Sequence, residues 1–251
     1  MIYRLVFSVR KSPLLLLFLL CLFPVTAMAQ SGRSKERPDL PGYIRAKHGP
    51  DPGLINGIQF YDRYYQVQGH PYFGGEESNN GSVTLSGKQY SDVSLNYDLY
   101  AQHLVLSYQV QSGGIRSIIL VPEHTEAFSL GGDHFEKCSL SGNGPLFYQV
   151  ITAEDITCYI HREKEMVPTS NKLQYTHYFS DPRRDYFLEY SGDLHRFHNR
   201  WSFKAIFEGE AKKQVRKYLR QHRILFRGAT TEELTSLLEF IVQLSEATKG
   251  N

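Results

Sequence analysis

The residues best suited to chemistry are histidines in the second half of the chain. His195 and His198 closely follow Asp193, and His161 lies on another predicted strand. Imidazole nitrogens and a carboxylate are common zinc ligands, so a site would form if these side chains converged. Positions three apart in a strand point to opposite faces, so His195 and His198 would share a metal only if the strand ended between them. His161, His195 and His198 are the candidate metal ligands, and structural, hydrogen-bonded histidines are the alternative.

A strongly basic segment offers a second kind of site. Its cations recur three to four residues apart, opposite the apolar Val215 and Leu219. They are Lys212, Lys213, Arg216, Lys217, Arg220 and Arg223. A basic amphipathic helix can contact an anionic surface, either lipid or an acidic partner. The alternative is a solvated helix face whose apolar side lies in the core.

Established catalytic signatures are missing from the sequence. It has no H-E-x-x-H, G-x-S-x-G, G-x-G-x-x-G or C-x-x-C motif and no Walker loop. The sequence therefore favours a protein without catalytic activity, and it indicates no cofactor. The alternative is a hydrolase or metal-dependent enzyme whose catalytic residues are dispersed along the chain.

Aromatic residues are frequent, with 17 tyrosines and 15 phenylalanines. Tyrosines on predicted strands could line a groove for an apolar ligand or a glycan. The alternative is packing between neighbouring strands, where tyrosine is common. The tyrosines concerned are Tyr64, Tyr65, Tyr97, Tyr108, Tyr148, Tyr159, Tyr186 and Tyr190.

The first 29 residues have the pattern of a secretory signal peptide. Three basic residues precede an apolar run at 14–23, and Ala27 and Ala29 are the small residues that a signal peptidase reads before Gln30. We therefore expect an exported protein, periplasmic or secreted, with no transmembrane segment after cleavage. Removal of those three basic residues takes the formal net charge from +2 to −1. Such a chain lacks the electrostatic footprint of a nucleic-acid-binding protein.

Two cysteines, Cys138 and Cys158, remain after cleavage. In an oxidising compartment an even pair predicts a disulfide, which would close a loop of about 20 residues and stabilise the fold by roughly 3 kcal/mol. The alternative is a pair of buried thiols. Cys158 alternates with Ile156 and Ile160, which places it on an apolar strand face in either case.

The elements that must position these residues follow from periodicity. Alternation with period two predicts a sheet over about 57–198, with turns at Asn80-Gly81 and at Ser86-Gly87-Lys88. The period then becomes 3.6, which predicts two or three helices over about 199–246. Asn199 or Ser202 is expected to cap the first helix, and Thr230 with Glu233 forms a capping box before the last.

The predicted fold class is α+β. A curved antiparallel β-meander is followed by the helices in a single domain at 57–251. A polar, proline-rich and flexible leader at 30–56 precedes that domain.

Several of these stretches resemble a family of uncharacterised exported proteins of Gram-negative bacteria. The resemblance rests on residues 81–88 and 92–98, the strand Phe147-Tyr-Gln-Val, and a hairpin that begins Tyr186-Phe-Leu and contains Gly192. It continues through the basic helix and the leucine-rich final helix, and so spans about 58–244. It implies an exported bacterial protein, and it assigns no activity and no functional residue.

Together these patterns predict a non-enzymatic envelope or secreted protein. Its expected role is to bind a partner protein or an apolar ligand across the curved sheet.

Overall fold

Strands dominate the chain up to residue 197, as the alternation predicts. The computed structural model describes residues 50–249, apart from 111, 141, 143 and 171–173. The predicted cleavage residues Ala27, Ala29 and Gln30 lie outside the described residues. So does most of the predicted leader.

Eleven of the described strands form one antiparallel sheet, in the order β1-β6-β5-β4-β3-β7-β8-β9-β10-β13-β14. Three others form a small sheet in the order β11-β12-β2, in which β12 and β2 run parallel. The strands are β1 Gly57–Gln59, β2 Val67–Gln68, β3 Asn79–Leu85, β4 Lys88–Asp98, β5 His103–Gln109, β6 Ile115–Leu120, β7 Thr125–Leu130, β8 Asp133–Cys138, β9 Leu146–Ala153, β10 Ile156–Glu163, β11 Met166–Pro168, β12 His177–Phe179, β13 Arg183–Tyr190 and β14 Asp193–Phe197.

The helices follow the sheet, which confirms the α+β class. They are α1 Arg200–Ala205, α2 Gly209–Gln221 and α3 Thr231–Lys249. Asn199 caps α1 in a capping box with Ser202, because its side chain accepts from the backbone N–H of Trp201 and of Ser202. The predicted box at α3 is confirmed, since Thr230 and Glu233 bond each other's backbone N–H. No helix in the described part of the chain combines the length and apolar character needed to cross a membrane.

Two apolar clusters form the core. The first joins strands β3–β9, and its buried members come from strands and loops. Leu54, which falls in the stretch predicted as leader, is buried in it. The second lies between strands β9, β10, β13 and β14 and all three helices. Its helical members include Leu234, Leu237, Leu238 and Ile241 of the predicted stripe.

One predicted turn was wrong. Asn80 and Gly81 lie inside β3, whereas the turn at Ser86-Gly87 is confirmed between Leu85 and its partner Lys88. Gly81 sits at a shift in register between β3 and β4. A Cβ atom at Gly81 would lie 2.1 Å from the carbonyl oxygen of Ser129 on β7. Glycine is therefore required there for the close approach of two strands.

We expect Gly81→Ala to lower the free energy of unfolding by about 1–3 kcal/mol, because β3 and β7 must separate to admit the methyl group. Urea titration followed by circular dichroism measures the loss. Gly144→Ala is the matched control, since a Cβ atom there meets nothing within 4 Å. An equal loss in both variants would contradict the close-approach explanation.

Candidate functional site

The predicted metal ligands do not converge. His161 on β10 pairs with Asp185 of β13, and His195 on β14 pairs with Leu188 of the same strand. Asp185 and Leu188 are three residues apart, so the two histidines lie on opposite faces of the sheet. His161 is buried, with Nδ1 3.2 Å from the carbonyl oxygen of Phe147. His198 lies beyond the end of β14.

Across the described residues, no group of three or more histidine, cysteine, aspartate or glutamate side chains is placed to hold a metal ion.

The two cysteines are free thiols. Cys138 lies on β8 and Cys158 on β10, with β9 between them. Strands two apart in a sheet are separated by about 10 Å, beyond the reach of a disulfide. Burial raises the pKa of the Cys158 thiol to about 12, so it is an inert core residue.

Three of the eight tyrosines are fully buried and pack against other rings. Tyr97 contacts Phe128, Phe135 and Phe147. Tyr186 stacks on Phe197, and Tyr148 makes an edge contact with Phe187. These rings serve the core and line no groove.

A cleft of about 540 Å³ is the candidate site. It lies where β8 begins, where β10 ends, where β13 begins and where α3 begins. The hairpin between β7 and β8 forms part of its wall. Its turn residues Gly131 and Gly132 both have positive φ, which suits a two-residue hairpin turn. The lining comes from residues 70–74, 131–133, 162–164, 182–184 and 228–232, together with Leu99.

Two arginines face each other inside this cleft. Arg162 of β10 and Arg184 of β13 are direct cross-strand partners, so their guanidinium groups lie on one face of the sheet. Arg162 is only 6% exposed and lies over the ring of Phe73 at 5.4 Å. Burial and the charge of Arg184 lower the pKa of Arg162 to about 10. The fold therefore holds two like charges together at a cost.

A buried polar network fixes Arg162. Its Nε and Nη2 atoms both donate to Oε1 of Gln149, which is 0% exposed. The amide nitrogen of Gln149 donates to Asp133 Oδ1 at 2.7 Å and to Thr231 Oγ1 at 2.8 Å. The Thr231 hydroxyl donates to the same Asp133 oxygen at 2.6 Å. Strands β8, β9 and β10 are thereby tied to the first turn of α3.

Arg184 and Lys164 complete the cationic wall. Arg184 donates from Nη1 to the carbonyl oxygen of Ala229 at 2.7 Å, just before the N-cap of α3. Lys164 donates from Nζ to the carbonyl oxygen of His70 at 2.6 Å, and burial lowers the pKa of its ammonium group. Burial raises the pKa of Tyr186, whereas Arg184 and Arg162 act to lower it. The positive potential extends into the core.

These three cations have no partner carboxylate. Within the described ranges, neither Arg162, Lys164 nor Arg184 has a nitrogen within 4.0 Å of a carboxylate oxygen. Two acids also line the cleft: Asp133 is engaged by Gln149 and Thr231, and Glu232 is exposed. The N-terminus of α3 adds the positive end of a helix dipole. The local balance favours an anion.

Two orphan polar atoms point to the same place. Among the described residues, the buried side-chain atoms without a hydrogen-bond partner are His70 Nδ1 and Arg184 Nε. Both residues line this cleft. Buried polar atoms without partners are uncommon, and they cluster at sites that a ligand completes.

Sequence reasoning missed this site, although one signal was present. Arg162 continues the core-facing row of Ile156, Cys158 and Ile160. An arginine at the next core-facing position of a strand is unusual, because a buried cation needs a partner. The partners come from other strands, so period alone does not identify them.

The predicted basic residues all lie outside this cleft. Lys212, Lys213, Arg216, Lys217 and Arg220 are on α2, and Arg223 follows it. All six are exposed, and Lys213 forms an ion pair with Glu210 at 2.9 Å.

No protein-family model, curated protein or solved structure matches this chain.

Proposed function

We propose that this chain is an exported binding protein whose ligand is a small organic anion carrying a phosphate or carboxylate group. The observation that carries the proposal is the pair of orphan buried atoms, His70 Nδ1 and Arg184 Nε, in a cleft with a buried arginine and no partner carboxylate on its cations. The export component rests on the signal pattern that ends at Ala29.

Charge-assisted hydrogen bonds explain why an anion fits. A phosphate or carboxylate between Arg162 and Arg184 would accept from both planar guanidinium groups, which match its geometry in pairs. It would also relieve the repulsion between the two arginines. Lys164 and the start of α3 would add attraction from two other sides.

The size of the cleft indicates that the anionic group is part of a larger molecule. At about 540 Å³, the cleft falls within the usual range for small-molecule sites. The rings of Tyr72 and Phe73, together with Leu99, line the same space and can contact an uncharged portion of the ligand. Tyr72 is held by stacking on His70.

An apolar ligand on the sheet is the weaker candidate, because the buried tyrosines pack against other rings. We propose that the sheet curves around the first apolar cluster. Curling would bury the side chains of β3–β8 without a covering helix. Such a core leaves the anionic cleft as the better binding site.

We expect inorganic phosphate or sulfate to stabilise the purified protein. At 100 times the dissociation constant, one bound anion raises the free energy of unfolding by about 2.7 kcal/mol, or roughly 5–10 °C in Tm for a chain of this size. Differential scanning fluorimetry and calorimetry at fixed ionic strength, with chloride as reference, measure the effect.

Lys164→Met should weaken this binding about tenfold, because it removes one half-buried cation from the cleft. Lys217→Met, which removes an exposed lysine of α2, should leave the affinity unchanged. Equal stabilisation by chloride, or equal affinity in the two variants, would refute the anion site.

A further inference from the structure

A second basic site lies between α1 and α2, away from the anionic cleft. It is a groove of about 180 Å³ lined by Arg200, Lys204, Arg216, Arg220 and Leu219. None of these residues lines the cleft near α3. No acidic side chain of the described residues contributes to the groove, and none of its four cations forms an ion pair there.

The groove has a defined shape. The Nε atom of Arg200 donates to the carbonyl oxygen of Ile224, which joins the start of α1 to the segment after α2. Phe203 and Leu219 anchor the two helices in the core. The cations are therefore carried on anchored helices, and they all border the same space.

Two large apolar side chains are exposed beside these cations. Trp201 is 75% exposed and Leu225 is 64% exposed. Trp201 precedes Lys204 by three residues on α1, so the two share a helix face. Leu225 follows Ile224, whose carbonyl oxygen Arg200 binds. Both apolar side chains thus border the cationic groove, and neither serves the core.

We propose that this face of α1 and α2 docks on an anionic phospholipid surface. Tryptophan is favoured at the headgroup level of a membrane, where one end of its ring is apolar and the other is wet. Cations near the surface are attracted to lipid phosphates, and Arg223 adds a further charge nearby. Charge complementarity, with exposed tryptophan and leucine next to four cations, identifies lipid as the partner.

Trp201 is the single tryptophan of the chain, so it reports its own insertion. We expect its fluorescence to shift to the blue with phosphatidylglycerol vesicles and not with phosphatidylcholine vesicles. The shift should diminish at high salt, since screening weakens attraction at a surface.

The double variant Arg216→Gln/Arg220→Gln should lower vesicle affinity about 30-fold, because each cation near an anionic surface contributes about fivefold. The matched control is Arg63→Gln/Arg116→Gln, which removes two exposed arginines elsewhere and should retain the affinity. Trp201→Ala, followed by cosedimentation, should also bind more weakly. Circular dichroism checks that each variant is folded.

Three results would overturn the proposal. One is an unshifted Trp201 spectrum with anionic vesicles, and a second is an equal loss in the two double variants. The third is a spectral shift with inorganic phosphate alone as large as that with vesicles, which would indicate a site for a free anion. Loss of phosphate binding in Lys164→Met tests the other site separately.

Discussion

Arg162→Met should abolish anion binding and leave the fold intact. We expect at least a 100-fold loss of affinity for sulfate, because a buried guanidinium that contacts an anion contributes several kcal/mol to binding. Methionine fills a similar space beside Phe73 and carries no charge. Isothermal titration calorimetry measures the affinity.

The free energy of unfolding should change by less than about 1 kcal/mol in this variant. Removal of the guanidinium leaves Gln149 Oε1 without its donors, which costs about 1–3 kcal/mol. Removal of the buried charge and of its repulsion with Arg184 offsets that cost. Most buried polar residues lack this compensation, so near-neutral stability is itself a test of the uncompensated charge.

Arg116→Met is the control, since Arg116 is exposed on β6. Arg184→Gln provides a second test in the cleft if Arg162→Met folds poorly. Retained sulfate affinity in both cleft variants would show that the cleft is not the anion site.

Phe197→Ala should cause the largest loss of stability, about 3–5 kcal/mol. Phe197 ends β14 at 1% exposure, and its ring lies 5.1 Å from Tyr186, 4.8 Å from Phe203 and 5.0 Å from Phe226. It therefore links the sheet to α1 and to the segment before α3. Alanine would leave a cavity at the point where these elements meet.

Urea titration followed by far-ultraviolet circular dichroism measures this loss. Trp201→Ala removes a larger ring four residues away, yet it should cost less than about 0.5 kcal/mol because that ring is exposed. Similar losses in the two variants would mean that the ring cluster around Phe197 does not hold the helices on the sheet.

Local patterns predicted the elements well and the site poorly. The capping box at Thr230 and Glu233 and the turn at Ser86-Gly87 depend on residues close in sequence, so the sequence alone identified them. Asn80-Gly81 has the composition of a turn, but the approach of Ser129 from β7 makes Gly81 part of a strand. A contact from a distant strand thus overrode local preference.

The cleft depends on strand register more than on any motif. Arg162 and Arg184 come opposite each other because β10 and β13 pair in one register, and a shift by one residue would turn one of them to the other face. Nothing near either arginine in the sequence specifies that pairing. The small sheet, with its parallel pairing of β2 and β12, was missed for the same reason.

That small sheet has a consequence for the order of folding. The backbone N–H of Thr176 donates to the carbonyl oxygen of Gln66, 110 residues earlier, and Val67 pairs with His177. During synthesis, residues 66–68 have no partner until more than a hundred further residues have emerged. Closing so long a loop is entropically costly, which makes such contacts slow to form. The wall that carries His70 and Phe73 is adjacent to this pairing, so the ability to bind a ligand should arise late in folding.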